Sequence, residues 1–158
     1  MEEASQKTNK VKIIVDTNIV FSSILNSKGK VGKVLFHSKG HFKFYSTGVL
    51  KSELLKHRAK LLKLTNLSIA DLDELELITT RRINFISEEL IPKKHLLYSE
   101  NLLEDIDPDD TTFVALTKHL KGKLWTGDKE LYKGLKGKHF KDVVTTQELS
   151  DLLDELEQ

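Results

Sequence analysis

Residues 11–25 read VKIIVDTNIVFSSIL, a stretch that joins a short apolar run, a single acid and a second apolar run. The first run, KIIV at 12–15, is β-branched and ends abruptly, which predicts a buried strand. Residues 18–25 predict a helix that packs back onto that strand. Asp16 stands where the strand ends. Ligands of open α/β sheets bind beyond the carboxyl ends of the strands, so Asp16 marks a candidate site.

Predicted strands and helices alternate along most of the chain. This alternation favours an α/β fold, in which a central parallel sheet is covered by helices on both faces. The predicted strands cover residues 12–15, 41–46, 84–90, 123–126 and 142–145. The predicted helices cover residues 18–25, 31–38, 46–63, 69–83, 94–103, 111–120 and 145–156.

The length and composition favour one globular domain. The 158 residues are enough for a substantial core, and no apolar run approaches the roughly 18 residues that a membrane helix needs. Residues 1–10 are polar and are expected to form a flexible leader, which leaves 11–158 as the domain. The sequence has no cysteine, which excludes disulfides and thiolate metal sites and fits a reducing compartment such as the cytoplasm.

Charge is distributed unevenly along the chain, although the formal net charge is only +1. Residues 1–65 carry 13 Lys and Arg against 4 Asp and Glu, whereas residues 66–158 carry 12 against 20. Between residues 4 and 70 the only acids are Asp16 and Glu53. One interpretation is a solvated basic face. The other is a surface that binds a polyanion, with two carboxylates retained for a purpose.

Asp128 resembles Asp16 in its position, because it follows the predicted strand at 123–126 by two residues. If the two strands are neighbours in a parallel sheet, both carboxylates project from the same edge. Each aspartate also has a structural interpretation, as an N-cap or Asx-turn residue at a strand–helix junction. The sequence leaves both interpretations open.

Glu53 lies beside the apolar stripe of its predicted helix. It follows Leu50 by three residues and Val49 by four, and an unpaired charge at such a position is costly. A salt bridge to Lys56 or His57 is the structural alternative to a role in a site. The two interpretations of Glu53 carry similar weight.

The segment DIDPDD at 105–110 is the densest acidic cluster. Asp110 precedes apolar positions by three and four residues, so it should point along the buried side of its helix, while Asp107 and Asp109 lean toward solvent or the helix cap. A calcium loop is a competing interpretation. It fails because Asp110 replaces the glycine at the sixth loop position and Leu116 replaces the glutamate at the twelfth.

Together these acids predict a site for a hard divalent cation. Magnesium and manganese prefer oxygen ligands, and such an ion relieves the repulsion among clustered carboxylates. The ion can also activate water and stabilise a phosphoryl transition state, so metal-assisted phosphodiester cleavage is the leading hypothesis. The sequence contains no GxxxxGK[ST], GxGxxG, HExxH or GxSxG motif that would indicate another chemistry.

Four stretches of the sequence resemble the PIN domain family, above all the branch described as VapC-like toxins of bacterial toxin–antitoxin systems. They follow the family order and span nearly all of the chain after residue 10. The stretches are VDTNIVFSSIL at 15–25, STGVLKSELLKHRAKL at 46–61, DPDDTTFVALT at 107–117 and LWTGDKEL at 124–131.

The resemblance implies a three-layer α/β/α sandwich with a central parallel sheet and a Mg²⁺- or Mn²⁺-dependent ribonuclease that cuts single-stranded RNA with one or two ions. By position it assigns the catalytic and metal-binding roles to Asp16, Glu53, Asp110 and Asp128. The resemblance assigns supporting roles to Asn18, Thr126 and Asp109. The basic residues expected to position the nucleic-acid backbone are Lys28, Lys30, Lys33, Lys56 and Arg58.

The resemblance also implies a toxin that an antitoxin protein blocks, for example with an arginine that reaches the carboxylates. A homodimer is a further expected assembly, and no membrane partner is expected. Two other functions remain open at this point. One is a catalytically inactive module that binds RNA or protein, and the other is a structure-specific DNA nuclease.

Overall fold

The computed structural model describes residues 10–38 and 40–158 of the chain. Among the helices in these ranges, none is both long and apolar enough to cross a bilayer. The predicted leader lies outside the described residues except for Lys10 and stays a prediction. The strands are β1 (Val11–Val15), β2 (Phe42–Thr47), β3 (Ile83–Ile86), β4 (Lys123–Trp125) and β5 (Val143–Val144).

One to three helices follow each strand, with short 3₁₀ turns at Glu88–Leu90 and Pro108–Asp110. They are α1 (Thr17–Leu25), α2 (Lys30–His37), α3 (Gly48–Lys56), α4 (Arg58–Thr65), α5 (Ile69–Arg81), α6 (Lys93–Leu103), α7 (Thr111–Leu120), α8 (Lys129–Gly137) and α9 (Thr146–Leu156).

The described strands form one parallel sheet in the order β3-β2-β1-β4-β5. Ile13 of β1 pairs with Phe44 of β2 on one side, and Val15 pairs with Trp125 of β4 on the other. Helix α7 lies against β1, β2 and β4 and carries α6 on its outer side, while α2 packs between α1 and α9. The predicted α/β/α sandwich is therefore confirmed.

The central position of β1 explains its apolar sequence. Ile13, Ile14 and Val15 are fully buried, because a middle strand of a parallel sheet is covered on both faces. Trp125 is also fully buried, lies 5.9 Å from the Phe44 ring and donates its indole N–H to the Thr146 hydroxyl at 3.0 Å. These contacts fix the carboxyl end of β4, close to the point where Asp128 follows the strand.

The predicted helix over 46–63 agrees with the structure at its start and differs from it in the middle. Ser46 and Thr47 are the last residues of β2 and are fully buried, and Thr47 is also the N-cap of the helix that begins at residue 48. The helical segment then breaks at His57, whose backbone leaves the helical region and whose ring packs edge-on against Phe21. This tertiary contact outweighs the helical propensity of the segment.

Helix α2 approaches the preceding loop very closely at Gly32. A Cβ at this position would lie 2.2 Å from the carbonyl oxygen of Ser27, which belongs to the backbone and cannot turn aside. A Cβ at Gly134 in α8 would instead meet the tip of the Ile106 side chain at 2.7 Å. Of these two positions, Gly32 is therefore the one where the backbone itself excludes a side chain.

Candidate metal centre

The carboxyl edge of the sheet brings together acids from two adjacent strands. Because β1 and β4 are paired neighbours, the residues that follow them emerge side by side. Asp16 directly follows β1, and Asp128 follows β4 after two residues and is the N-cap of α8. The negative charge of Asp128 raises the pKa of Asp16, which shows that the two carboxylates are close. The structure thus has both carboxylates at one edge, as their positions after the two strands predict.

Asp107, Asp110 and Asp128 form the tightest acidic group among the described residues. Each offers a carboxylate oxygen, and these three oxygens lie within 4.8 Å of one another. The 3₁₀ turn Pro108–Asp110 brings the first two together, because residues three apart eclipse each other in this conformation. Asp110 is also the N-cap residue of α7. The group therefore joins the start of α7 to the start of α8.

Two members of the group also cap backbone amides. Asp107 Oδ1 accepts a hydrogen bond from the Asp109 amide at 3.0 Å. Asp128 Oδ1 accepts from the amides of Glu130 at 2.9 Å and Leu131 at 3.2 Å. The capping interpretation of Asp128 is therefore confirmed, and it is compatible with the predicted site role. The amide bonds fix the orientation of each carboxylate and use one of its two oxygens.

Asp16 is almost completely buried, with 2% of its surface exposed. Its Oδ1 accepts a hydrogen bond from the Ile19 amide at 3.1 Å as the N-cap of α1. Burial raises the pKa of Asp16 from 3.8 to about 6. Hydrogen bonds with the Thr126 side chain and the Ile19 amide lower this pKa, and the charges of Asp128 and Glu53 raise it further.

Asp110 shows the strongest perturbation in the site. Burial is the largest cause of the rise in its pKa from 3.8 to about 8, and the negative charges of Asp16, Asp107, Asp128 and Glu53 follow in that order. These five carboxylates therefore form one interacting cluster. A half-buried carboxyl group among four other acids holds its proton near neutral pH unless a cation compensates for the charge.

Glu53 joins this cluster from α3 and is half-buried. Its charge raises the pKa of both Asp16 and Asp110. Within residues 10–38 and 40–158 the salt bridges involve Arg58 and Lys138 as the cations, and none reaches Glu53. The salt-bridge alternative with Lys56 or His57 therefore has no support in the described contacts.

The donor set fits a hard divalent cation. An octahedral Mg²⁺ with ligands at about 2.1 Å separates neighbouring ligand oxygens by about 3 Å and opposite ones by about 4 Å. The three oxygens of the group lie within 4.8 Å of one another, which is close to the span of such a ligand sphere. All donors are carboxylates, and oxygen donors suit magnesium or manganese better than a soft metal. The residues that would hold the ion are Asp107, Asp110 and Asp128, with Asp16 and Glu53 beside them.

The predicted supporting residues occupy different surroundings. The Thr126 side chain hydrogen-bonds Asp16, and its hydroxyl accepts the Asp128 amide at 3.1 Å, so it links two acids of the cluster. Asn18 is exposed on α1, and no hydrogen bond among the described residues joins its side chain to a carboxylate. Asp109 is exposed, and its amide rather than its side chain contacts Asp107. The supporting roles of Asn18 and Asp109 stay predictions.

Sequence reasoning missed Asp107 and Ser46. Asp107 was expected to lean toward solvent or the helix cap, and the structure confirms the capping role, because Asp107 is the N-cap residue of the 3₁₀ turn. Its place beside Asp110 and Asp128 was not foreseen. The spacing of three between Asp107 and Asp110 was the signal for their proximity. Ser46 donates a hydrogen bond from its hydroxyl to the Val15 carbonyl at 2.8 Å, which fixes the residue before Asp16. No local pattern indicates this contact across two strands.

A groove with a volume of about 610 Å³ borders the acidic cluster at Thr126 and Asp128. Lys30 is exposed and lines it, together with Lys129 and Lys133 of α8, and the Lys30 ammonium donates a hydrogen bond to the Gln147 side chain. The other two predicted basic residues of this region, Lys28 and Lys33, are exposed beside Lys30. The groove therefore offers cationic side chains next to the carboxylates.

The remaining predicted basic residues lie at the junction of α3 and α4. Lys56 is exposed at the end of α3. Arg58 forms ion pairs with Asp73 and with Glu76 of α5, the second at 3.2 Å between Nη1 and Oε2. Its guanidinium is engaged within the fold, which weakens the prediction that Arg58 binds nucleic acid.

The fold and the site define an α/β protein with a carboxylate cluster at the carboxyl edge of a parallel sheet, beside the reversal of strand order at β1. The family model of the PIN domain matches residues 14–150. The chain therefore belongs to the PIN domain family. This range includes all five carboxylates of the cluster.

Comparison with solved structures agrees with this membership. One similar chain comes from the crystal structure of VapBC2 from Rickettsia felis bound to a DNA fragment from their promoter. It is 14% identical in sequence, the TM-score is 0.63, and the match covers 85% of this chain and 96% of that chain. At this identity the likeness shows a shared fold. A comparison with curated protein sequences gave no match.

Proposed function

We propose that the protein is a divalent-cation-dependent endoribonuclease that cleaves single-stranded RNA. The observation that carries this proposal is the convergence of Asp107, Asp110 and Asp128 within 4.8 Å, beside the buried Asp16. A cluster of acids at this density stores mutual repulsion, which a bound cation relieves. Membership of the PIN domain family supports nuclease chemistry at this cluster.

A bound Mg²⁺ or Mn²⁺ would act as a Lewis acid toward the phosphate and would activate a water molecule for attack. The chain's own residues hold the acids in fixed positions for that purpose. Thr126 connects Asp16 with the loop that carries Asp128, and the Ile19 amide fixes one oxygen of Asp16. Such fixed orientation lowers the cost of arranging charges during reaction.

The substrate class follows from the surroundings of the cluster. Lys30, Lys129 and Lys133 line the groove beside Thr126 and Asp128 and would bind backbone phosphates on either side of the cleaved bond. Between its cations the groove is lined mainly by small polar residues and glycines, and Tyr132 adds an aromatic ring on which an unpaired base could stack. Single-stranded RNA is therefore the proposed substrate, and a single-stranded or branched DNA is an outcome that the test below distinguishes.

The proposed biological role is the toxin component of a toxin–antitoxin system in the cytoplasm. The supporting likeness is the fold shared with the VapBC2 structure from Rickettsia felis. An antitoxin would block the cluster most effectively with an arginine, because a guanidinium pairs with two carboxylate oxygens and compensates for the same repulsion as a cation. A dimer of this chain is part of the proposal.

The test is RNA cleavage in the presence of Mn²⁺ or Mg²⁺. Asp16→Asn and Asp128→Asn are each expected to lower the cleavage rate at least about 100-fold, because loss of a ligand should exceed the 10- to 100-fold cost typical of outer-shell changes. Asp154→Asn, an exposed acid on α9, removes the same charge far from the cluster and should retain the wild-type rate.

Parallel assays with RNA and DNA substrates of equal length distinguish the proposed ribonuclease from a DNA nuclease and from an inactive binding module. Cleavage of single-stranded RNA but not of single-stranded or flap DNA supports the proposal. Cleavage restricted to flap DNA would replace it with a DNA nuclease. Retention of RNA without cation-dependent cleavage of any substrate would replace it with an inactive binding module.

A further inference from the structure

A second, strongly basic cleft lies at the opposite edge of the sheet from the carboxylates. Its volume is about 610 Å³, and it is formed at the amino ends of β1, β2 and β3. The cations that line it are Lys10, Lys12, Lys43, Arg81 and Arg82, and its exposed surface is mainly polar. No acid lines this cleft among the described residues.

The sheet brings two of these cations together. Lys12 and Lys43 are register partners on adjacent strands and are both exposed, and like charges at paired positions destabilise a sheet. The salt bridges of the described ranges use Arg58 and Lys138 as cations, so none neutralises this pair. An anion bound between the two ammonium groups would remove the repulsion.

Other residues of the cleft are held in place by the fold. The Arg82 Nε donates a hydrogen bond to the Leu35 carbonyl at 3.2 Å, which fixes one edge of the guanidinium and leaves the other available to a ligand. Tyr45 is half-buried in the cleft, and the Lys43 ammonium lies 5.6 Å from the centre of its ring. Cations interleaved with an aromatic ring are typical of surfaces that bind unpaired nucleic-acid strands.

We propose that this amino-edge cleft binds the phosphate backbone of single-stranded RNA at a distance from the carboxylate cluster. The choice of RNA rests on the proposed function. Lys12 and Asp16 are four residues apart on one extended segment, a separation of about 13 Å. An RNA that occupies both regions must therefore extend several nucleotides beyond the bond that is cleaved. The cleft retains long strands, whereas the cluster acts on the cleaved bond.

The experiment measures binding without cleavage. Fluorescence anisotropy in the presence of a chelator would follow the full chain with single-stranded RNAs of about 16 and about 4 nucleotides. The test variant combines Lys12→Gln, Lys43→Gln and Arg81→Gln. The matched control neutralises three exposed cations elsewhere, with Lys93→Gln, Lys94→Gln and Lys141→Gln. Equal melting temperatures would establish that both triple variants fold. If the test variant does not fold, Lys43→Gln alone takes its place.

The test variant is expected to bind the long RNA at least about 10-fold more weakly than the control variant does, with a salt slope lower by about 2, since each lost phosphate contact removes about 0.7. The short RNA should lose little affinity. Equal binding of the long RNA by both triple variants would overturn the proposal. A loss confined to duplex DNA of equal length would overturn the assignment to a single strand.

Cation-dependent cleavage by the wild type is measured separately and tests the proposed function. If cleavage is absent but the long RNA still depends on the cleft, the nuclease proposal fails and the cleft proposal stands. If cleavage occurs and the two triple variants bind the long RNA equally, the nuclease proposal stands and the cleft proposal fails.

Discussion

Replacement of Asp110 by asparagine tests whether the acidic cluster stores repulsion in the absence of a cation. The pKa of Asp110 rises from 3.8 to about 8 in the folded protein, mainly because of burial and then because of the other acids. Between these pH values the native state holds a proton that the unfolded chain has released. Stability of the cation-free protein must therefore fall as the pH rises through this window.

The size of the effect follows from the same quantities. At about 1.36 kcal/mol per pH unit, full retention of the Asp110 proton between pH 5 and pH 8 would change the free energy of unfolding by about 4 kcal/mol. Asp110 is only half-buried, so solvent reduces this to about 2 to 3 kcal/mol. For a chain of this length, that corresponds to roughly 4 to 12 °C in the melting temperature. The buried Asp16, with a pKa of about 6, contributes in the same direction.

The assay is thermal unfolding in a chelator at several pH values from 5 to 8, for the wild type, Asp110→Asn and the control Asp154→Asn. The melting temperature of the wild type should fall as the pH rises, and that of Asp110→Asn should fall less. The variant should therefore become more stable relative to the wild type at higher pH. Added Mn²⁺ should raise the wild-type value most at pH 8, because the cation binds the deprotonated acids. A wild-type melting temperature that stays constant over this range, or equal slopes for wild type and Asp110→Asn, would refute the reasoning.

Three further predictions concern positioning, the unexpected acid and backbone packing. Thr126→Val removes a hydrogen bond that lowers the pKa of Asp16, so the pKa of Asp16 should rise further and the acid limb of the pH profile of cation-dependent cleavage should move to higher pH. Asp107→Asn should weaken Mn²⁺ binding at least about 10-fold by calorimetry, while an asparagine oxygen can still accept the capping amide. Gly32→Ala should lower the free energy of unfolding by about 2 kcal/mol or more in urea, because a backbone carbonyl lies 2.2 Å from the new Cβ, whereas Gly134→Ala should change it by less than about 1 kcal/mol.

Clear results would contradict each of these. An unchanged pH profile in Thr126→Val would mean that its hydroxyl does not act through Asp16. Wild-type Mn²⁺ affinity in Asp107→Asn would remove this residue from the proposed cation ligands. Equal stabilities of Gly32→Ala and Gly134→Ala would mean that the loop before α2 shifts at little cost.

The strands and most helices could be predicted from local sequence. The run at 13–15 is apolar because β1 is the middle strand, and the helix over 111–120 begins directly after Asp110. The failure at 46–63 came from contacts that no local pattern encodes. Ser46, which the sequence predicts both as the end of a strand and as the start of a helix, is a strand residue paired with Phe85, and the helical segment breaks at His57 beside Phe21.

Some acids of the candidate site could be predicted from the sequence and others could not, for a similar reason. Asp16 and Asp128 could be paired in advance because each directly follows a strand and parallel strands share an edge. Asp107 could not be chosen over Asp109 without knowing that the segment forms a 3₁₀ turn. Likewise, Arg58 belonged to a basic stretch of sequence, but the acids that pair with it lie on a helix 15 and 18 residues further along.

By itself the sequence determined the alternation of strands and helices, the burial of β1 and the placement of Asp16 at its end, because hydrophobic periodicity and strand termini are local properties. Only the tertiary structure decided that β4 lies next to β1, which carboxylates approach within 4.8 Å, and that Lys12 and Lys43 stand side by side at the opposite edge. The physical reason is that strand order and register join residues far apart in the chain, and the repulsion between like charges depends on that distance in space.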